Sequence, residues 1–308
     1  MEKEQMRLKQ NLAKLLPPSL YNVCEKFLDT YPEISEMRLR RGKSTVFTLR
    51  ERNVESSYVC DDALMDRCLS LWIGTERYKQ AECLTNGVIR LPHGFRVGVV
   101  GTALLDKGKI VGIYNVSALN LRLPRPFYGS SRPLYDYITA LPHPCRSILL
   151  LGPPCSGKTT VLRDFAHLLS TAPVSERVCI VDPSQELTAF SDPRSLHLDT
   201  FIGYPTPLGI ELSTRYFNPR YVICDEIGTA DELTAIRNST HTGVPIIASA
   251  HASSLFEAIQ RPILRSLLEE NVFFSAVTLT LNDKGINFRF YSRKEVDAAL
   301  CHQSSLLL

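Results

Sequence analysis

At 308 residues the chain exceeds one small domain and is long enough to bury two cores. Its 44% hydrophobic and 22% charged composition is ordinary for a soluble globular protein, and a net charge of +3 is too small to argue for nucleic acid. No apolar run approaches the roughly 18 residues of a membrane-crossing helix, which excludes a helical membrane protein.

The first ten residues alternate Glu, Lys and Gln and lack the apolar centre of a secretory signal, which points to a cytoplasmic chain. Leu8, Leu12, Leu15 and Leu16 recur at helical spacing until Pro17-Pro18 ends the segment, and a second helix is expected from Ser19. From Ile34 the pattern is that of strands: Met37-Arg38-Leu39-Arg40 alternates, Gly42-Lys43 turns, and Val46-Phe47-Thr48-Leu49 returns. Asp61 and Asp62 are placed to cap a helix reaching Trp72. Residues 87–113 are rich in Gly, Val and Ile around Lys107-Gly108-Lys109 and read as a meander, with a separate alternating segment at 119–123.

Prolines and small residues between Pro124 and Pro133 mark the best linker. The expected organisation is an N-terminal α+β domain over 1–130 and a second domain over 131–308. Lys and Arg outnumber Asp and Glu by 20 to 14 in the first, and are outnumbered 18 to 15 in the second, so the two surfaces should differ. After the linker, apolar strands at 147–151, 178–181, 221–224 and 245–248 alternate with helical stretches at 157–169, 207–217 and 230–241. That rhythm predicts an α/β domain with a mostly parallel sheet covered on both faces. Residues 273–281 and 286–291 read as a closing hairpin.

The strand at 147–151 runs into Gly152-Pro153-Pro154-Cys155-Ser156-Gly157-Lys158-Thr159-Thr160, which contains G-x-x-x-x-G-K-T. Glycines let backbone N–H groups turn inward on phosphates, and the helix that follows adds the positive end of its dipole. Lys158 is expected on the β- and γ-phosphates of ATP, and the Thr159 hydroxyl on Mg²⁺. Cys155 occupies a variable position, as a small filler or as a thiol activated by the helix terminus. The nine cysteines of the chain show no metal-ligand spacing, and those other than Cys155 read as reduced thiols.

Asp225-Glu226 follows the strand at 221–224, 67 positions after Lys158. The first carboxylate would hold the metal's water shell and the second would polarise attacking water. His251 ends another strand at the same sheet edge and is a candidate γ-phosphate sensor. Glu186, favoured over Asp182, follows the strand at 178–181 and is a candidate second water-orienting group; an ordinary helix-capping role is the alternative.

These residues, in this order, resemble the stage III sporulation protein AA family, which is similar to type II and type IV secretion and pilus ATPases. The resemblance rests on Glu36-Met37-Arg38-Leu39-Arg40, residues 92–98, residues 120–125, the phosphate loop, residues 181–186, residues 225–228 and Ala250-His251. It implies a homo-hexameric ATPase in which an N-terminal α+β domain precedes a RecA-like P-loop ATPase domain and packs over the nucleotide, peripheral to the membrane on the mother-cell side, driving membrane-embedded sporulation channel proteins. Glu186 resembles the acidic-box glutamate of those ATPases and His251 their histidine-box residue. Arg96, Arg122 and Arg125 fall where the group carries arginines that reach the phosphates.

Two other readings stand beside the motor enzyme. One is a nucleotide-dependent assembly scaffold with little turnover; Glu226 and Glu186 argue for turnover. The other is a nucleic-acid-handling P-loop ATPase, suggested by the basic N-terminal part, but no basic strand set interleaved with aromatics is present.

Overall fold

The computed structural model describes residues 2–49, 52–74, 85, 87–124, 129–171, 175–190, 195–282 and 285–304. The chain divides into two compact units, Met1–Pro126 and Phe127–Leu308.

In the first unit, α1 (Glu2–Leu15) and α2 (Pro18–Thr30) precede β1 (Glu36–Arg40), β2 (Lys43–Thr48) and β3 (Asn53–Cys60). Then follow α3 (Asp62–Ile73), β4 (Val88–Arg90), β5 (Arg96–Asp106) and β6 (Lys109–Arg122). Pro18 opens α2, where a missing N–H costs nothing. The Asp61 side chain accepts the Leu64 N–H at 2.7 Å and caps α3. The six strands form one antiparallel sheet in the order β3-β2-β1-β6-β5-β4. Strand β6 runs unbroken for 14 residues, so the segment at 119–123 continues the meander and is not a separate strand.

Met37, Leu39, Val97, Leu119 and Leu121 turn into a core completed by Leu12, Leu20, Leu28 and Leu64 of the helices. Burying each large aliphatic contributes about 1.5–3 kcal/mol. The opposite face is charged. Cross-strand register sets Arg90, Arg96, Arg122 and Glu36 in one row. Glu36 accepts from Arg38 at 2.7 Å and from Arg122 at 3.3 Å. Burial alone would raise the Glu36 carboxyl, but bonds from Arg38 and Asn120 and the arginine charges hold it below its ordinary pKa.

The second unit begins with α4 (Arg132–Ala140), β7 (Ile148–Gly152), α5 (Lys158–Thr171), β8 (Val178–Asp182) and β9 (Leu198–Ile202). It continues through α6 (Thr206–Tyr216), β10 (Tyr221–Cys224), α7 (Ala230–Thr240), β11 (Ile246–His251), α8 (Leu255–Gln260) and α9 (Pro262–Glu269). It closes with β12 (Ser275–Asn282), β13 (Gly285–Tyr291) and α10 (Arg293–Ser304). The sheet order is β13-β12-β7-β11-β10-β8-β9, parallel throughout except for the β12–β13 hairpin. This is the mostly parallel sheet that the strand–helix rhythm predicts. Strand β7 shows why its sequence is uniformly apolar: Ile148 and Leu150 enter one core, Leu149 and Leu151 the other.

Residues at the end of the expected linker are held by α5. Asp164, 5% exposed, accepts N–H groups of Gly129 at 3.0 Å and Ser131 at 2.7 Å, and the Ser131 hydroxyl at 2.7 Å. Asp164→Ala leaves those donors unpaired and should cost about 3 kcal/mol. Urea unfolding checks this; a midpoint within error of the parent's would contradict it. Among the described residues, no helix is long and apolar enough to cross a membrane.

Candidate functional site

All the parallel strands present their carboxyl ends at one edge of the second unit's sheet, where ligands of open α/β sheets bind. Gly152 ends β7 there and the loop turns into α5 at Lys158. A Cβ on Gly152 would lie 2.3 Å from the Ser156 hydroxyl, and one on Gly157 (φ 94°) would lie 2.7 Å from Ile286 Cδ1. Gly152 is therefore required by the loop's own packing, and Gly157 by its left-handed backbone and the approach of Ile286 from β13. Cys155 is exposed and also left-handed, with φ 61°. Pro153 is half-buried, Pro154 exposed, and Thr159 and Thr160 half-buried in the first turn of α5. The Ser156 hydroxyl is buried without a hydrogen-bond partner.

Lys158 is 5% exposed, and its ammonium donates to the carbonyls of Gly152 at 2.8 Å and Pro153 at 2.9 Å. Burial lowers its pKa, and the charges of Asp225 and Glu226 pull the other way. Its Nζ also lies 3.3 Å from His251 Nδ1. An ammonium has no lone pair, so Nδ1 accepts and the ring proton sits on Nε2. Nε2 then donates to Glu226 Oε1 at 3.0 Å. Lysine, histidine and glutamate thus form one hydrogen-bonded chain across the ends of β7, β11 and β10.

The Thr159 hydroxyl donates to Asp225 Oδ2 at 2.6 Å. The Ser249 hydroxyl donates to Asp225 Oδ1. Burial raises the Asp225 pKa, and these two bonds oppose it. Glu226, exposed, has φ 55°, a left-handed backbone that costs a side-chain-bearing residue about 1–2 kcal/mol.

Asp182, fully buried, has its carboxylate taken up inside its own loop. It accepts the N–H of Glu186 at 2.9 Å, and the N–H and hydroxyl of Thr188 at 2.8 Å each. Arg163 of α5 grips the same loop through the Glu186 carbonyl at 2.6 Å. Glu186, in the same loop, contributes its negative charge to the raised Asp225 pKa.

The structure therefore brings Lys158, Thr159, Asp225, Glu226 and His251 into direct contact, with Glu186 close enough to act on Asp225 electrostatically. Arg96 and Arg122 stand side by side in the first unit's sheet. Arg125 lies outside the described residues. Ser249 and Arg163 were not foreseen from the sequence. Ser249 had a readable signal, since it lies two residues before His251 and so on the same face of β11.

The donor set fits Mg²⁺. A hydroxyl and a carboxylate are hard oxygen donors, and Mg²⁺ is usually held by one or two protein groups plus substrate phosphates. No cluster of three metal-binding side chains occurs among the described residues.

The chain matches the family described as "Sporulation stage III, protein AA" over residues 6–295. It is 30% identical over 273 residues to the stage III sporulation protein AA of Bacillus subtilis (strain 168), an overlap of 85% of this chain and 88% of that protein. Among solved structures it is similar to the ATPase DotB of Legionella pneumophila, with TM-score 0.60 and 15% identity over 92% of this chain and 87% of that one. It is also similar to the pilus retraction motor PilT, solved with bound ADP, with TM-score 0.64 and 12% identity over 92% and 88%. At those identities the likeness is one of fold, that of the RecA-like secretion ATPases. The chain belongs to the sporulation stage III protein AA family.

Proposed function

We propose that this member of the sporulation stage III protein AA family is a Mg²⁺-dependent ATPase. Its turnover drives membrane-embedded channel proteins between mother cell and forespore, from the cytoplasmic face of the membrane. One observation carries the reading: the phosphate-loop hydroxyl of Thr159 bonds Asp225 while Glu226, His251 and Lys158 link hand to hand beside it. DotB is an ATPase and PilT was solved with ADP, and this chain shares their fold.

In this reading Lys158 leaves the loop carbonyls and meets the β- and γ-phosphates of ATP, joined by the loop's N–H groups and the α5 dipole. Thr159 and Asp225 would hold Mg²⁺, which would supply positive charge to offset that of the phosphates. Glu226 accepts a hydrogen bond from water and aims it at the γ-phosphorus, with His251 fixing its carboxylate and Glu186 orienting from the neighbouring loop. Arg96, Arg122 and Arg125 would supply positive charge to the transferring group, which the phosphate loop alone lacks. We assign the protein to a homo-hexamer, with the nucleotide bound by the domain at 131–308.

Phosphate release measured against protein concentration tests the assembly. Specific activity is expected to rise as subunits associate. Activity that is constant per chain down to nanomolar concentrations would mean a site complete within one subunit.

A further inference from the structure

Strand β11 pairs with β7 through His251, but its pairing with β10 ends at Cys224 opposite Ala248. Ser249 is the first residue past that end. Its main chain is fixed from the β7 side opposite Leu150, and its side chain is fully buried. Ala248 and Ala250 point into the apolar core, and Ile247, on the Ser249 face, enters the other core.

The hydroxyl there makes two bonds and the carbonyl a third, to three consecutive residues. Ser249 Oγ donates to Asp225 Oδ1 and accepts the Glu226 N–H at 3.0 Å. The Ser249 carbonyl accepts the Ile227 N–H at 2.8 Å. Glu226, in the middle, is the residue in the left-handed conformation. Such a conformation persists where its surroundings over-determine it, and here Ser249 supplies that constraint from a rigid central strand.

We propose that Ser249 is a positioning residue: its hydroxyl sets the rotamer of the Asp225 carboxylate and holds the Glu226 turn in the conformation that aims the glutamate at His251. Of the two hydroxyls on Asp225, Thr159's is the one that must reorient to meet a metal ion. Ser249's is the partner that stays, and it leaves Asp225 Oδ2 directed at the phosphate loop. The proposal rests on the ATPase reading for its catalytic consequence but not for its structural one.

The test compares Ser249→Ala and Ser249→Thr in the full chain by residue-resolved amide exchange and by nucleotide binding. In Ser249→Ala the Glu226 amide should exchange at least about tenfold faster, while the Ile227 amide, bonded to the backbone carbonyl, keeps its protection. The Mg²⁺ concentration for half-maximal binding of a fluorescent ATP analogue should rise about 10–100-fold. Ser249→Thr, which keeps the hydroxyl, should restore both. If Ser249→Ala does not fold, Ser249→Cys gives the same comparison at nearly constant volume, with a weaker hydrogen-bonding group.

Parent-like protection of Glu226 together with a parent-like Mg²⁺ requirement in Ser249→Ala would overturn the proposal. So would equal loosening of the Glu226 and Ile227 amides, since that reports general unfolding of the turn. A parent that binds no nucleotide would sink the ATPase reading alone, and the exchange data would then decide the role of Ser249.

Discussion

Lys158→Ala is expected to abolish ATP binding without unfolding the protein. Lys158 is 5% exposed, and burial lowers its pKa. Burying that cation weakens the fold, so alanine relieves a cost even as it frees the carbonyls of Gly152 and Pro153. What is lost is charge-assisted bonding to phosphate. Each such bond contributes about 1.5–3 kcal/mol, and two of them correspond to a weakening on the order of a thousandfold. Calorimetric titration with Mg²⁺-ATP beside a thermal melt separates the effects. Binding within tenfold of the parent would mean that Lys158 does not face phosphate, and a melt lowered by ten degrees would mean that it is structural.

Glu226→Gln is the complementary case, in which binding survives and turnover does not. Glutamine keeps an oxygen that can accept from His251 Nε2, so the lysine–histidine chain seen in the parent can persist. It lacks the negative charge that draws a proton from attacking water. Loss of a general base lowers rates about 10²–10⁴-fold, while the ATP dissociation constant should stay within about threefold. Single-turnover hydrolysis with radiolabelled ATP checks it. A variant that hydrolyses at the parent rate would transfer the role to Glu186 of the neighbouring loop.

The parts of the fold readable from the sequence are those in which one physical demand acts on consecutive residues. Strand β7 is buried on both faces, so every position is apolar, and the same holds for β10. The phosphate loop is legible because its backbone geometry excludes most residues, as the contacts a Cβ would meet at Gly152 and Gly157 make concrete. Edge strand β9 carries no such signal, because it is mostly exposed and its Asp199 and Thr200 dilute any pattern. Helices α8 and α9 are short pieces of six and eight residues separated at Arg261-Pro262, below the length at which helical periodicity is readable.

The site divides along the same line. Lys158 and Thr159 stand in a G-x-x-x-x-G-K-T loop, and Asp225, Glu226 and His251 follow apolar strands, so motif and placement together make them legible. The roles of Ser249 and Arg163 depend on contacts 24 and 23 residues away in the chain, and neither residue type is unusual where it stands. The left-handed turn at Glu226 is invisible in sequence for a different reason, because glutamate gives no hint of a positive φ. Asp182 shows the converse: an acid at a strand end looks catalytic, yet its oxygens are taken up by its own loop.

The central claim is tested most directly by steady-state Mg²⁺-ATP hydrolysis of the purified chain beside Glu226→Gln. The account predicts phosphate release by the parent, dependent on Mg²⁺, and none above background from the variant. Tight ATP binding by the parent with no release at any protein concentration would contradict it, leaving a nucleotide-gated scaffold in place of a motor.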